Sequence, residues 1–294
     1  TFSESCSSCG DAGGSVTLTK PAPNVGEEMV YDGSTVWRPT VTTPGTLHTS
    51  VTYSGTYRGI NEEQRTTLDW ADDAAWRNAG HYEITITGGE QTERIQYTVN
   101  MRDPVAGDFV FTPPASESGT LVYDGQKKNA SVNWKDGVEN SEIRIYYKDK
   151  SGPDDVYLAG EGGPTAAGDY LVRVTTGPGR NISTVNFFRN DAEWKFSIAP
   201  ADYDYEMPET ADLVKGSKVT MLPKGTGTGV DGEMVEGTLK WFLDEAHSKT
   251  LEQANLDEAY KVDKSLTLYW VFTATNTNYT TTPKSGSVVF TIVE

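Results

Sequence analysis

With 25 basic against 42 acidic side chains in 294 residues, the chain carries a net charge of −17 and has no basic surplus for phosphate, which argues against nucleic acid or anionic lipid as a partner. No apolar run reaches the length of about 18 residues needed to span a membrane, so no insertion is expected. A hydrophobic fraction of 36%, with 29 Gly and 15 Tyr, suits short strands and many turns better than amphipathic helices.

Residues 1–14 read as a flexible lead-in rich in Ser and Gly. Its Cys6 and Cys9 read as a small disulfide loop or as two reduced thiols. A zinc site would need further ligands, and there is no second Cys pair, while His48, His81 and His247 are scattered. Ser15–Thr19 alternates polar and apolar residues and is a predicted strand. Glu28–Tyr31 is another, ending in an Asp32-Gly33 turn. Val51–Tyr57 alternates again. Asn61–Asn78 breaks the pattern, holds Trp70, Asp72, Asp73 and Trp76, and is expected to include a helical turn. His81–Ile86 and Arg94–Met101 close the first segment, and Arg102-Asp103-Pro104 is a boundary. Asp108–Thr112, Ala130–Trp134, Glu142–Tyr147, Asp169–Thr175 and Ala192–Ala199 are the strands of a second segment, ending at Pro200–Pro208. Gly225–Gly229 lacks the Gly-Lys-Ser/Thr of a phosphate loop. Gly237–Phe242, Leu266–Ala274 and Ser287–Val293 are strands of a third segment, with a short helix predicted at Leu251–Ala259.

Two motifs recur. Met29-Val30-Tyr31-Asp32-Gly33 returns as Leu121-Val122-Tyr123-Asp124-Gly125. Ala79-Gly80-His81-Tyr82 returns as Ala167-Gly168-Asp169-Tyr170. A period of roughly 90 to 100 residues fits one small domain per repeat and is too long for a solenoid. The Tyr of Ala-Gly-x-Tyr is expected to fill a core, its hydroxyl reaching a backbone partner, while the Gly relieves a tight strand entry. The motif pair resembles the immunoglobulin-like repeats of bacterial secreted and cell-surface, adhesin-like proteins. In the third segment, Gly237-Thr238-Leu239-Lys240-Trp241 and Phe272–Thr280 resemble a sister repeat, with Ala274 and Asn276 departing from its pattern. The resemblance implies an all-β fold of three tandem Ig-like β-sandwich domains, at 15–103, 104–201 and 202–294.

It also implies a non-enzymatic segment of a bacterial surface or secreted protein, acting as an adhesive array or spacer stalk. The partner would be a host or microbial surface glycan or protein. Thr1 opens the chain without a basic-then-apolar leader, and a monomeric fragment of a larger extracellular chain is expected. Trp70 and Trp76, beside Asp72 and Asp73, are the candidate ligand-binding residues, because a flat indole stacks on the apolar face of a sugar ring. That reading makes the chain a carbohydrate-binding accessory region of a larger secreted glycan-active enzyme. The plainer reading is that the two indoles cover the end of their own sandwich. Asp202, Asp204 and Glu206 alternate on an extended linker and are the calcium candidates. Asp72-Asp73 and Asp154-Asp155 read as solvated loop acids. No Gly-x-Ser-x-Gly elbow or clustered Ser-His-Asp set is present, so no catalytic residue is assigned.

Overall fold

The computed structural model describes residues 2–3, 15–43, 50–88, 91–116, 119–152, 158–159, 162–186, 188–262 and 264–294. Cys6, Cys9, His48, Asp154 and Asp155 lie outside them. The fold class is all-β, with several small sheets and a single α-helix among the described residues. In chain order the strands are β1 (Phe2–Ser3), β2 (Ser15–Thr19), β3 (Thr40–Thr42), β4 (Val51–Gly59), β5 (Thr66–Leu68), β6 (Gly80–Gly88) and β7 (Gln91–Val99). Next come β8 (Phe109–Thr112), β9 (Ser131–Trp134), β10 (Ile143–Asp149), β11 (Leu158–Ala159), β12 (Gly168–Thr176), β13 (Phe188–Arg189) and β14 (Lys195–Ile198). Last are β15 (Asp204–Glu206), β16 (Thr210–Val214), β17 (Thr226–Thr228), β18 (Gly237–Phe242), α1 (Gln253–Val262), β19 (Ser265–Ala274) and β20 (Lys284–Val293).

The chain divides into two compact units. One comprises Thr1–Thr112, Val132–Ile145 and Arg173–Asn190; the other comprises Pro113–Ser131, Tyr146–Val172 and Asp191–Glu294.

The main sheet of the first unit is antiparallel, in the order β5-β4-β6-β7. Its register follows from alternation. Tyr82, Ile84 and Ile86 of β6 point into the core, while His81, Glu83 and Thr85 between them stay partly exposed. Tyr82 pairs with Tyr97 and Ile84 with Ile95 on β7. Trp37, Tyr57, Leu68, Trp76 and Val99 complete the buried cluster. Its centre is a column of rings: Trp76 stacks on Tyr82 at 5.9 Å, and Tyr82 on Tyr97 at 5.1 Å. Each buried aromatic removes a large apolar area from water, so this column dominates the local stability.

In the second unit the sheet order is β16-β20-β19-β18, with β16 parallel to β20 and the other pairs antiparallel. Trp241, Leu268, Trp270, Phe272, Val288 and Phe290 project inward from it. The hairpin-like pair β15 and β17 covers the core from the opposite side, stacking Tyr205 on Phe272 at 4.0 Å. The helix predicted at Leu251–Ala259 runs instead over Gln253–Val262. Leu251 is withheld from it because its N–H donates to the Trp241 carbonyl at 2.9 Å. Leu256, Ala259 and Tyr260, spaced as one helical face, are buried.

The recurring motifs are turns and cores, as their residues predict. Gly33 and Gly125 hold φ of +80° and +74°, a region that favours glycine. The Asp32 carboxylate takes N–H bonds from Ser34 and Thr35. Partial burial pushes this carboxyl up, but those bonds and the Thr35 hydroxyl outweigh it and hold the group at about 2. The Tyr82 hydroxyl donates to the Asn78 carbonyl at 2.7 Å, and the Tyr170 hydroxyl to that of Ala166 at 2.9 Å, each four residues back. A Cβ on Gly80 would lie 2.3 Å from the Tyr57 ring and 2.7 Å from the Arg58 carbonyl, so the strand entry tolerates only glycine.

Candidate functional site

The aromatic loop of the first unit orders around a short 3-10 turn, Asp73–Trp76. Asp72 caps it, its carboxylate accepting the Ala74 N–H at 2.9 Å. Asp73 pairs with Arg38 at 3.0 Å, and the same guanidinium donates to the Trp70 carbonyl. The turn drives Trp76 inward. Its ring is 0% exposed, and its Nε1–H donates to the Asp69 carbonyl at 2.9 Å. Trp76 therefore has no open face for a sugar. Trp70 is half-buried, edge-on to Trp76 at 5.2 Å and 5.6 Å from Tyr53. Of the two candidate indoles, Trp70 alone retains surface. Asp72 and Asp73 are exposed but serve the turn and the ion pair.

The acidic stretch does not assemble into a cation cage. Asp204 and Glu206 share the exposed side of β15, as their alternation predicts. Asp202 is turned away to Lys284 at 2.9 Å. Among the described residues, no group of three or more His, Cys, Asp or Glu side chains lies close enough to hold a metal.

A different constellation appears twice. In the first unit, β7 ends at Val99, and Asn100 and Arg102 beyond it form isolated parallel bridges. The Asn100 N–H donates to the Met29 carbonyl at 2.7 Å, and the Asn100 carbonyl accepts the Tyr31 N–H at 2.9 Å. Two residues later, the Arg102 N–H donates to the Asn181 carbonyl at 3.2 Å, and the Arg102 carbonyl accepts from Ser183 at 2.9 Å. The Asn181 Oδ1 accepts the Ala79 N–H at 2.8 Å, just ahead of Gly80 and Tyr82. Glu139 presents the loop, its carboxylate accepting the N–H groups of Arg180 and Asn181 at 2.8 and 3.0 Å. Arg102 grips Asp108 with two bonds of 2.6 Å. Burial raises the Asp108 carboxyl, but this fork and the Val105 N–H bring it below the usual carboxylate range.

The second unit repeats the pattern. The Ala199 N–H donates to the Leu121 carbonyl and its carbonyl accepts the Tyr123 N–H, both at 2.8 Å. Two residues on, Ala201 bonds Asn278 at 2.9 Å and Thr280 at 2.8 Å in the same sense. The Asn278 Oδ1 accepts the Ala167 N–H at 2.9 Å. Tyr279 fills the space that Ile182 fills in the first instance, and both are 1% exposed. Its hydroxyl donates to Glu233 at 2.8 Å and accepts the Val230 N–H at 3.1 Å. Burial and the Glu233 carboxylate push this phenol up to about 12. The Tyr123 hydroxyl reaches the same carboxylate at 3.2 Å.

So Tyr-Asp-Gly and Ala-Gly-x-Tyr do more than fold their own segment. Each borders a clamp whose second half is an Asn-bearing loop about 100 residues further on. The clamp residues Asn181, Asn278, Glu139 and Glu233 carry no periodic signal. The one hint in the sequence is an Asn in the loop that follows each of β12 and β19.

No protein-family model matches the chain, and no curated protein matches it in sequence. Solved structures similar to it include the three N-terminal domains of the outer capsid protein Hoc of bacteriophage RB49, at 12% identity and a TM-score of 0.26, covering 96% of this chain and 99% of that one. Bacterial invasin, an integrin-binding protein, aligns over 95% of this chain and 60% of its own, at 10% identity and a TM-score of 0.33. Drosophila N-cadherin EC1-4 aligns over 87% and 69%, at 12% and 0.23. At these TM-scores the likeness carries no residue correspondence and no function.

Proposed function

We propose that the chain is a non-enzymatic tandem array of Ig-like segments, at 15–103, 104–201 and 202–294, serving as a spacer or adhesive stalk in a bacterial secreted or cell-surface protein. The observation that supports this reading is the twice-built clamp. A chain of independently tumbling beads has no use for a half-buried Asn whose side chain holds a backbone amide of the preceding segment. A spacer does, because it must hold its geometry. Hydrogen exchange of the native chain tests it. The Ala79 and Ala167 amides are expected to be protected, and to lose protection in an Asn181→Ala, Asn278→Ala double variant that leaves the Ile84 and Leu268 amides slow. Rapid exchange of Ala79 and Ala167 in the native chain refutes a fixed spacing.

The carbohydrate-binding alternative rests on Trp70, whose exposed surface lies beside Tyr53. Screening a Trp70→Ala variant beside the native chain on a glycan array tests it. Equal binding by both proteins removes that site.

A further inference from the structure

A cavity of about 620 Å³ in the second unit runs beside β18. All five consecutive residues from Gly237 to Trp241 line it. Successive side chains on a strand point to opposite faces, so a cavity touching all of them borders the strand's edge rather than one face. The hydrogen bonds agree. The Glu236 carbonyl accepts the Thr275 N–H at 3.0 Å on the β19 side, whereas the Trp241 carbonyl accepts the Leu251 N–H at 2.9 Å on the opposite side. Backbone direction alternates along a strand, so Gly237 and Leu239 point the same way as Trp241, into the cavity. Among the described residues nothing bonds the Leu239 N–H or carbonyl on that edge. The chain's own extended segment, residues 249–251, occupies the edge opposite Trp241, Phe242 and Leu243 and goes no further toward Gly237.

Val219 and Leu222 also line it, and Phe272, reaching from β19 beneath Gly237, adds an apolar floor with Tyr205 stacked on it. Met221, next to Leu222, is 69% exposed. Lys224 and Lys240 line the same groove, both exposed. Neither has a carboxylate partner among the described residues, although the chain carries a net charge of −17. An apolar trough, an open ladder and two free ammonium groups describe one kind of occupant. We propose that the groove binds an extended segment of a partner protein, alternating apolar and acidic residues, which adds as a strand to Gly237–Lys240 and continues the pairing that Thr250–Leu251 begins. This inference is independent of the spacer reading.

The probe is a blocked heptapeptide of alternating Val and Glu, compared with its Val/Lys counterpart and with a form N-methylated at alternate amides. Binding is read by fluorescence anisotropy and by exchange of the Leu239 amide in the full chain. The acidic peptide is expected to bind and to slow Leu239 exchange, and N-methylation to weaken binding at least about tenfold by removing the ladder donors. Lys224→Glu with Lys240→Glu, both on the surface, should weaken the acidic peptide to a similar extent and reverse the preference for charge. Absence of binding, an unchanged Leu239 amide at saturation, or equal affinity of the N-methylated form overturns the proposal. A Leu239 amide already protected in a sedimenting dimer assigns the edge to a second copy and overturns it too.

Discussion

The side-chain oxygen of Asn181 accepts the backbone N–H of Ala79 at 2.8 Å, across 102 residues of sequence. Ala79 is fully buried, so its amide has no water to turn to and depends on that oxygen. Asn278 accepts the N–H of the half-buried Ala167 in the same way across 111 residues. A donor of this kind contributes little when paired and costs much more when stranded.

Asn181→Ala is therefore expected to destabilise the chain by about 1–3 kcal/mol, the penalty of one orphaned buried N–H. Urea denaturation followed by tryptophan fluorescence measures it. A loss below about 0.5 kcal/mol would show that the Ala79 amide finds another partner.

Trp76→Ala should cost about 3–5 kcal/mol, because a fully enclosed indole leaves a cavity that its neighbours, the stacked Tyr82 and the edge-on Trp70, only partly close. Trp70→Ala, at the half-buried edge of the same cluster, should cost clearly less. The difference between the two denaturation midpoints is the test, and equal losses would contradict the inward placement of Trp76.

Gly80→Ala places a methyl against the Tyr57 ring and the Arg58 carbonyl, and the carbonyl belongs to a paired strand. A loss of about 1–3 kcal/mol is expected from overpacking. Gly107→Ala meets nothing within 4 Å and serves as the neutral control. Thermal unfolding of both variants distinguishes a steric effect from a general intolerance of alanine.

The alkaline limb of stability should carry the signature of Tyr279. Its folded value near 12 lies above the ordinary 10.0, so the native state holds its proton longer than the unfolded chain does. The contribution is complete below about pH 10 and is lost as pH rises from there through about 12. Tyr279→Phe cannot ionise at this position and should show a shallower decline over that window. Denaturation midpoints at stepped pH values read the slope, and parallel curves for both proteins would exclude Tyr279 as the source.

Strands were legible wherever one face is buried and the other is not. Tyr82, Ile84 and Ile86 alternate with His81, Glu83 and Thr85, and β6 follows with two further residues at its C-terminal end. The glycines of the turns and the inward tyrosines were legible for similar local reasons. The orientation of Trp76 was not. The loop that holds it has no period, and Trp76 is held inward by contacts spread over the fold: the Asp69 carbonyl and the rings of Tyr82 and Trp70. The start of α1 was missed because its N-terminal neighbour Leu251 is claimed by a strand edge, a long-range bond that outweighs local helix propensity. The clamps were invisible for the same reason in stronger form. An asparagine in a loop signals a turn, and nothing nearby announces a partner 102 or 111 residues away.

One feature of the clamps bears on which insertions and deletions the gene can tolerate. Asn100 and Arg102, like Ala199 and Ala201, make their bonds two residues apart, as isolated parallel bridges just beyond the ends of β7 and β14. Adding or deleting one residue at Met101 or Pro200 would turn the second member of each pair to the opposite side, and Asn181 or Asn278 would lose its backbone partner. Length variation between related chains should therefore be purged from these two connecting peptides, short as they are and lying where domains are usually joined most loosely. It should accumulate instead in hairpin ends that no clamp uses.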